Sequence, residues 1–184
     1  MSILSTFGFV TPLYAAEVAT PEVRLLDSDI IVSSRLFLDE QQAQEVSGGV
    51  AKEIIFYVDL FRVWSNWPDE FVVGRTLNRK VKCDPVKKEY TGVSFDGSTV
   101  IKRRFSDCKP LVEWALSVTD MKLTNVKELE GGQYFVRVTA ESRAVKLPAM
   151  ISFLLFFVPE KEFSVFKNSR AFQINQPAQP GDHR

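Results

Sequence analysis

The side chains able to do acid–base, nucleophilic or metal chemistry are few in this chain. There is one histidine, His183, and there are two cysteines, Cys83 and Cys108. A serine or cysteine nucleophile needs a firmly held base. His183 belongs to the terminal stretch NQPAQPGDHR, which reads as a solvated tail. A zinc site draws its protein ligands from Cys, His and carboxylate side chains, and Cys83, Cys108 and His183 do not assemble one. The nucleophile-elbow, P-loop, dinucleotide and HExxH signatures are all absent from the sequence. With 23 acidic residues some carboxylate pair always exists, so a carboxylate-based hydrolase remains an alternative, although no spacing selects a pair. The expectation is a non-enzymatic protein with no catalytic, cofactor-binding or metal-binding residues.

Three other clusters carry chemistry of recognition or of stability. Arg62, Trp64 and Trp67 lie close together in RVWSNW. A guanidinium over an indole ring gains ~0.5–2 kcal/mol by cation–π attraction, and exposed Trp and Arg are enriched in interface hot spots. The cluster is therefore a candidate interaction patch, or else a strand end whose aromatics close over the core. Cys83 and Cys108 can pair in an oxidising compartment, which would stabilise the fold by ~3 kcal/mol, or remain two separate buried thiols. Lys80, Lys82, Lys87, Lys88, Lys102, Arg103 and Arg104 form a basic group without interleaved aromatics. That pattern fits a lysine-protected sheet edge, or contact with acidic headgroups, better than nucleic-acid binding.

Periodicity supplies the elements that would position these groups. Leu26-Asp27-Ser28-Asp29 turns the chain between two strands, and Ile30 to Leu38 puts Ile30, Val32, Leu36 and Leu38 on one face. Asp39 and Gln42 form a capping box for a short helix that Gly48-Gly49 ends. Lys52 to Trp64 is the clearest strand, with Ile54, Phe56, Val58 and Leu60 on one face and Ile55, Tyr57, Asp59, Phe61 and Val63 on the other. Phe71 to Cys83 is a second long strand with Phe71, Val73, Leu77 and Val81 in phase and one wet face rich in Lys and Arg. Asp96-Gly97 marks a hairpin. A second helix runs from Asp107 to Val118 on the stripe Leu111, Trp114, Ala115 and Val118. Val126 to Leu129 and Tyr134 to Ala144 read as a pair of strands across Glu130-Gly131-Gly132, and Phe163 to Ile174 as a last strand. The fold class is mostly β (α+β): about nine strands in an antiparallel sandwich or partly closed barrel, with two short helices.

Length and composition set the organisation. Residues 1–16 read as a signal peptide, because Ile3 to Tyr14 is apolar, uncharged and followed by Ala15-Ala16. Residues 17–21 read as a linker, 22–174 as one β-rich domain and 175–184 as a disordered tail. The apolar run 149–158 is shorter than the ~20 residues of a transmembrane helix and reads as a core element or as a surface patch for lipid. Basic and acidic residues balance at 23 each, so nothing pulls the chain toward nucleic acid.

One stretch is specific enough to carry a resemblance. Gly48-Gly49-Val50 leads into IIFYVDLFRVWSNWPDEFV, followed by a basic strand, DPVKKEY, a helix with a central Trp, a Y-x-V-x-V strand and VKLP. Over roughly residues 22–174 this resembles the bacterial family catalogued as domain of unknown function 4390. The strand carrying Arg62, Trp64 and Trp67 is the most specific part, and Leu147-Pro148 is a weaker marker. The resemblance implies an exported bacterial protein with no assigned activity, and a membrane sensor kinase of the nitrogen-regulation type as a conceivable partner. The functional expectation is a periplasmic or envelope interaction module with a protein partner, the alternative being a binder of lipid or another apolar ligand.

Overall fold

The computed structural model describes residues 15–144 and 161–175. Residues 1–14 of the expected leader, Leu147-Pro148, the run 149–158, His183 and the tail from 176 onward lie outside them. Two short strands come first, β1 (Glu17–Val18) and β2 (Glu22–Leu26). Both run antiparallel to β3 (Asp29–Phe37), from Glu17 opposite Phe37 down to Leu26 opposite Asp29. The expected linker is thus partly strand. Val18 is buried against the core, so its apolar side chain draws the chain onto the sheet edge. Asp27 and Ser28 close the β2–β3 hairpin with positive φ of 49° and 71°, the backbone that matches the twist of a tight hairpin.

Helix α1 (Glu40–Ser47) starts on the expected capping box. The Asp39 carboxylate accepts from the Gln42 amide at 2.7 Å, and the Gln42 side chain accepts from the Asp39 amide at 3.4 Å. Strand β4 (Lys52–Arg62) follows and ends two residues earlier than expected, before Trp64. It is central: β5 (Glu70–Asp84) pairs along one edge and β9 (Gly132–Ala144) along the other. A bulge at Leu60–Phe61 shifts the register, so that Val73 faces Leu60 while Phe71 faces Phe61 on the opposite surface. Phe71 is therefore out of phase with Val73, Leu77 and Val81, contrary to the alternation of the sequence, because one extra residue reverses the side-chain parity.

The large sheet continues through β6 (Glu89–Phe95) and β7 (Val100–Phe105). The Asp96 carboxylate accepts from the amides of Ser98 and Thr99 at the hairpin tip, and Gly97 supplies φ +96°. Helix α2 (Cys108–Ala115) is shorter than the apolar stripe predicts. Val118 belongs instead to β8 (Ser117–Asn125), which pairs with β3. The expected strand Val126 to Leu129 is a 3-10 turn at Val126–Glu128, and β9 has no pairing with it. Strand β8 escapes a period-two reading because two register shifts interrupt its pairing with β3 and Asp120 takes φ +48°. Strands β10 (Lys161–Asn168) and β11 (Phe172–Ile174) lie one after the other along β9, as the expected last strand with a break.

Two open antiparallel sheets result, one of β1, β2, β3 and β8 and one of β4 to β7 with β9 to β11. They pack as a sandwich, and the barrel alternative is not what forms. Ile30, Val32 and Leu36 of the small sheet bury with Phe56, Val58, Leu60, Val136 and Val138 of the large one. A second, smaller core of Val46, Val81, Cys83, Leu111 and Ala115 joins both helices to the end of β5. Each of the buried Val, Leu, Ile and Phe side chains contributes about 1.5–3 kcal/mol by leaving water.

Candidate functional site

Strand β4 ends at Arg62, and the chain then loops through Trp64 and Trp67 before entering β5. The Arg62 side chain is only 17% exposed, because two groups from the turn before β9 hold it. Its guanidinium pairs with the Glu130 carboxylate and donates to the Gly131 carbonyl at 3.0 Å. The bond to Glu130 holds the Arg62 charge still more firmly than an ordinary arginine. Held in this way, the guanidinium lies 4.4 Å from the centre of the Trp64 ring, whose Nε1 donates to Glu70 at 3.1 Å. The indole is thus pinned by polar contacts at both its face and its edge. Trp64 is nevertheless 42% exposed and Trp67 77%. Neither ring closes the core at this strand end. That task falls to Tyr134, which is 2% exposed and whose hydroxyl donates to the Glu130 carbonyl at 2.8 Å.

Cys83 and Cys108 are joined by a disulfide, with Cα atoms 5.6 Å apart. It ties the end of β5 to the first residue of α2 inside the second core. Of the basic group, Lys102, Arg103 and Arg104 lie on β7, the last strand of the large sheet, and are exposed.

One buried charged residue of β5 stands in phase with Leu77 and Val81, not on the wet face. Arg79 is 8% exposed. Its Nη1 donates to the carbonyls of Trp114 and Ser117 at the end of α2, and its guanidinium lies 4.5 Å from the Trp114 ring. Its Nε is buried without a hydrogen-bond partner, an arrangement that costs about 1–3 kcal/mol. Burial and the nearby Arg103 charge push its pKa down to about 10, so it is still a cation at neutral pH. No carboxylate pairs with it among the described residues. Its period-two phase with Leu77 and Val81 turns Arg79 inward, but pattern alone could not say that a charge is kept buried there, because Arg75 in the same phase stays exposed.

The opposite face of the large sheet carries Phe61, stacked 5.3 Å from Phe135 and edge-on to Phe71 at 5.9 Å. Arg137 lies over Phe61 at 4.7 Å and Phe166 at 5.2 Å. Asp59 sits opposite Arg137 on β9 and Gly74 on β5. Burial raises its pKa, and Arg137 only partly offsets that. Among the described residues no group of three or more His, Cys, Asp or Glu side chains converges as a metal site would. No helix among them is long and apolar enough to cross a membrane.

These features define an antiparallel β-sandwich, cross-linked by one disulfide, that presents a fixed Arg–Trp cluster at a strand end. Residues 15–170 match the family described as Domain of unknown function (DUF4390), and the chain belongs to that family. No curated protein and no solved structure is significantly similar to it.

Proposed function

We propose that the protein is a non-enzymatic interaction module of the bacterial cell envelope, exported to the periplasm, with a protein partner. The observation that carries this reading is the Arg62–Trp64–Trp67 cluster. Two large rings stay exposed, and Arg62, fixed by Glu130 and Gly131, lies over the ring of Trp64. Trp64, held at its face and edge, pays little conformational entropy on docking, and Trp67 adds exposed aromatic area beside it in sequence. The Cys83–Cys108 disulfide supports an oxidising compartment. The ectodomain of a membrane sensor kinase is the partner to test first.

The non-enzymatic reading is supported by Asp59, the one carboxylate among the described residues whose pKa burial raises. Its cross-strand neighbours are Arg137 and Gly74 rather than a second acid, unlike the paired carboxylates of glycoside hydrolysis. A second reading, a binder of lipid or another apolar ligand, has support in the exposed rings of Phe71 and Phe166.

The experiment is fractionation of the host with sequencing of the mature N-terminus, followed by binding of the purified protein to the kinase ectodomain. A periplasmic protein starting near Glu17, whose affinity falls at least tenfold in Trp67→Ala with an unchanged melting temperature, is expected. An intact Met1 in the cytoplasm overturns the export reading. Equal affinity of the variant and the natural protein overturns the patch.

A further inference from the structure

A cleft of about 370 Å³ opens between the two sheets, where β5 faces β8. Its floor is apolar: Leu77 and Val118 belong to the main core and Met121 packs against it. Its walls are cationic. Arg75 and Arg79 come from β5, two residues either side of Leu77 and on the same face of the strand, and Lys122 comes from β8.

The two arginines of this cleft are not paired with acids by the fold. Lys122 pairs with Asp29 at 2.7 Å. Among the described residues Asp96 is the only acid lining the cleft, and its Oδ1 is turned to the hairpin tip, where it accepts from the amides of Ser98 and Thr99 and from the Ser98 hydroxyl. Arg75 and Arg79 have no carboxylate partner among the described residues. Arg79 satisfies part of its donor set on the carbonyls of Trp114 and Ser117, and its Nε has no acceptor at all. A guanidinium kept nine-tenths out of water at the wall of a cleft, with no counter-charge, is the arrangement an incoming oxyanion would complete. The helix-end carbonyls explain why Arg79 is tolerated. They do not explain Arg75 beside it, the unused Nε or the cleft.

We propose that this inter-sheet cleft binds a small amphiphilic oxyanion, a carboxylate or phosphate monoester carrying an apolar chain. Arg79 and Arg75 take the charged head, and Leu77, Val118 and Met121 take the chain. A cleft of this size suits a short ligand, with the mixture of apolar wall and few polar groups usual in such sites. The head group sets the affinity through charge-assisted hydrogen bonds, so binding weakens with salt. The inference does not rest on the Arg62–Trp67 patch, and Trp67→Ala leaves it unchanged.

The test is titration of the full chain, followed by amide and indole NMR, with octyl phosphate, octanoate and inorganic phosphate. Saturable shifts are expected at residues 75–79 and 118–122 and at the Trp114 indole, which lies against Arg79. Arg75→Glu, at an exposed position, should weaken binding at least tenfold without lowering the melting temperature. Arg79→Lys should weaken it as well, and if that variant unfolds, Arg75→Glu decides alone. Octyl phosphate favoured tenfold over octanoate assigns a lipid-type phosphate head, and the reverse order assigns a fatty-acid-type carboxylate. Inorganic phosphate binding as tightly as octyl phosphate overturns the role of the apolar floor. Shifts that do not saturate, or that survive Arg75→Glu unchanged, overturn the site.

Discussion

At the scale of single residues, burial decides what each charge does. Lys52 is 1% exposed, yet its ammonium bonds Glu45 at 2.6 Å and Glu162 at 2.8 Å, and Ser142 donates to Glu162 as well. Burial opposes its charge, but the bonds to Glu162 and Glu45 outweigh that and raise its pKa above 10.5. The bond from Lys52 in turn lowers Glu45 below 4.5. A raised lysine stabilises the fold below its unfolded pKa and loses that only as pH rises past the folded one. A lowered glutamate stabilises above its unfolded pKa and loses that as pH falls. The cluster is therefore at full strength across neutral pH. Lys52→Met should cost about 2–3 kcal/mol at pH 7, at the low end for a broken buried pair because both acids reach solvent. Urea denaturation should show the cost shrinking below pH 4.5, the ordinary glutamate value. Asp59 has the opposite sign. Its folded pKa is raised, so its charge destabilises the fold above that pKa. Asp59→Asn should raise the melting temperature at pH 7, and the gain should vanish below pH 3.8, the ordinary aspartate value. A gain that is independent of pH would sink this account.

At the scale of elements, α2 is held by the ring of Trp114 and the disulfide, beside the bond from Arg79 and the burial of Leu111 and Ala115. Trp114 packs over Gly92 so closely that a Cβ there would overlap the indole, and it would also meet Leu111 Cδ1 at 3.0 Å. Phe105 lies 5.5 Å from the same ring. Gly92→Ala should therefore push α2 off the sheet, at a cost of about 1–3 kcal/mol typical of overpacking, with near-ultraviolet dichroism of Trp114 reporting the change. Replacing both Cys83 and Cys108 by Ala should cost about 3 kcal/mol on the chain-entropy account. Helix α1 has no disulfide, and its start depends on Asp39. Asp39→Ala should cost about 1 kcal/mol, read as a lower midpoint in denaturant with an unchanged slope.

At the scale of the whole molecule, β5 links the two cores, with Leu77 in the larger and Val81 and Cys83 in the smaller. Reduction of the disulfide should loosen the smaller core alone. Hydrogen exchange should then rise first in α2, β6 and β7 while β3, β4 and β9 stay protected, and uniform loss of protection would refute this division.

Much of this architecture was present in local pattern. The β4 alternation, the Asp39–Gln42 box, the Asp96-Gly97 hairpin and the strand from Tyr134 to Ala144 follow from side-chain period, capping and turn chemistry, which depend only on near neighbours. The family resemblance likewise rested on residues contiguous in the chain. What pattern could not supply was pairing across distance. The bulge beside Phe61 turned Phe71 to the other face, and the shifts around Asp120 hid β8 behind a helical stripe, because the partner strand sets those registers. Exposure of Trp64 and Trp67, the joining of Cys83 to Cys108, and the burial of Arg79 were likewise decided by which surfaces the two sheets and α2 brought together. Amino-acid type determines what a side chain can do. Only the tertiary arrangement decides whether water, a ring or a carbonyl stands beside it.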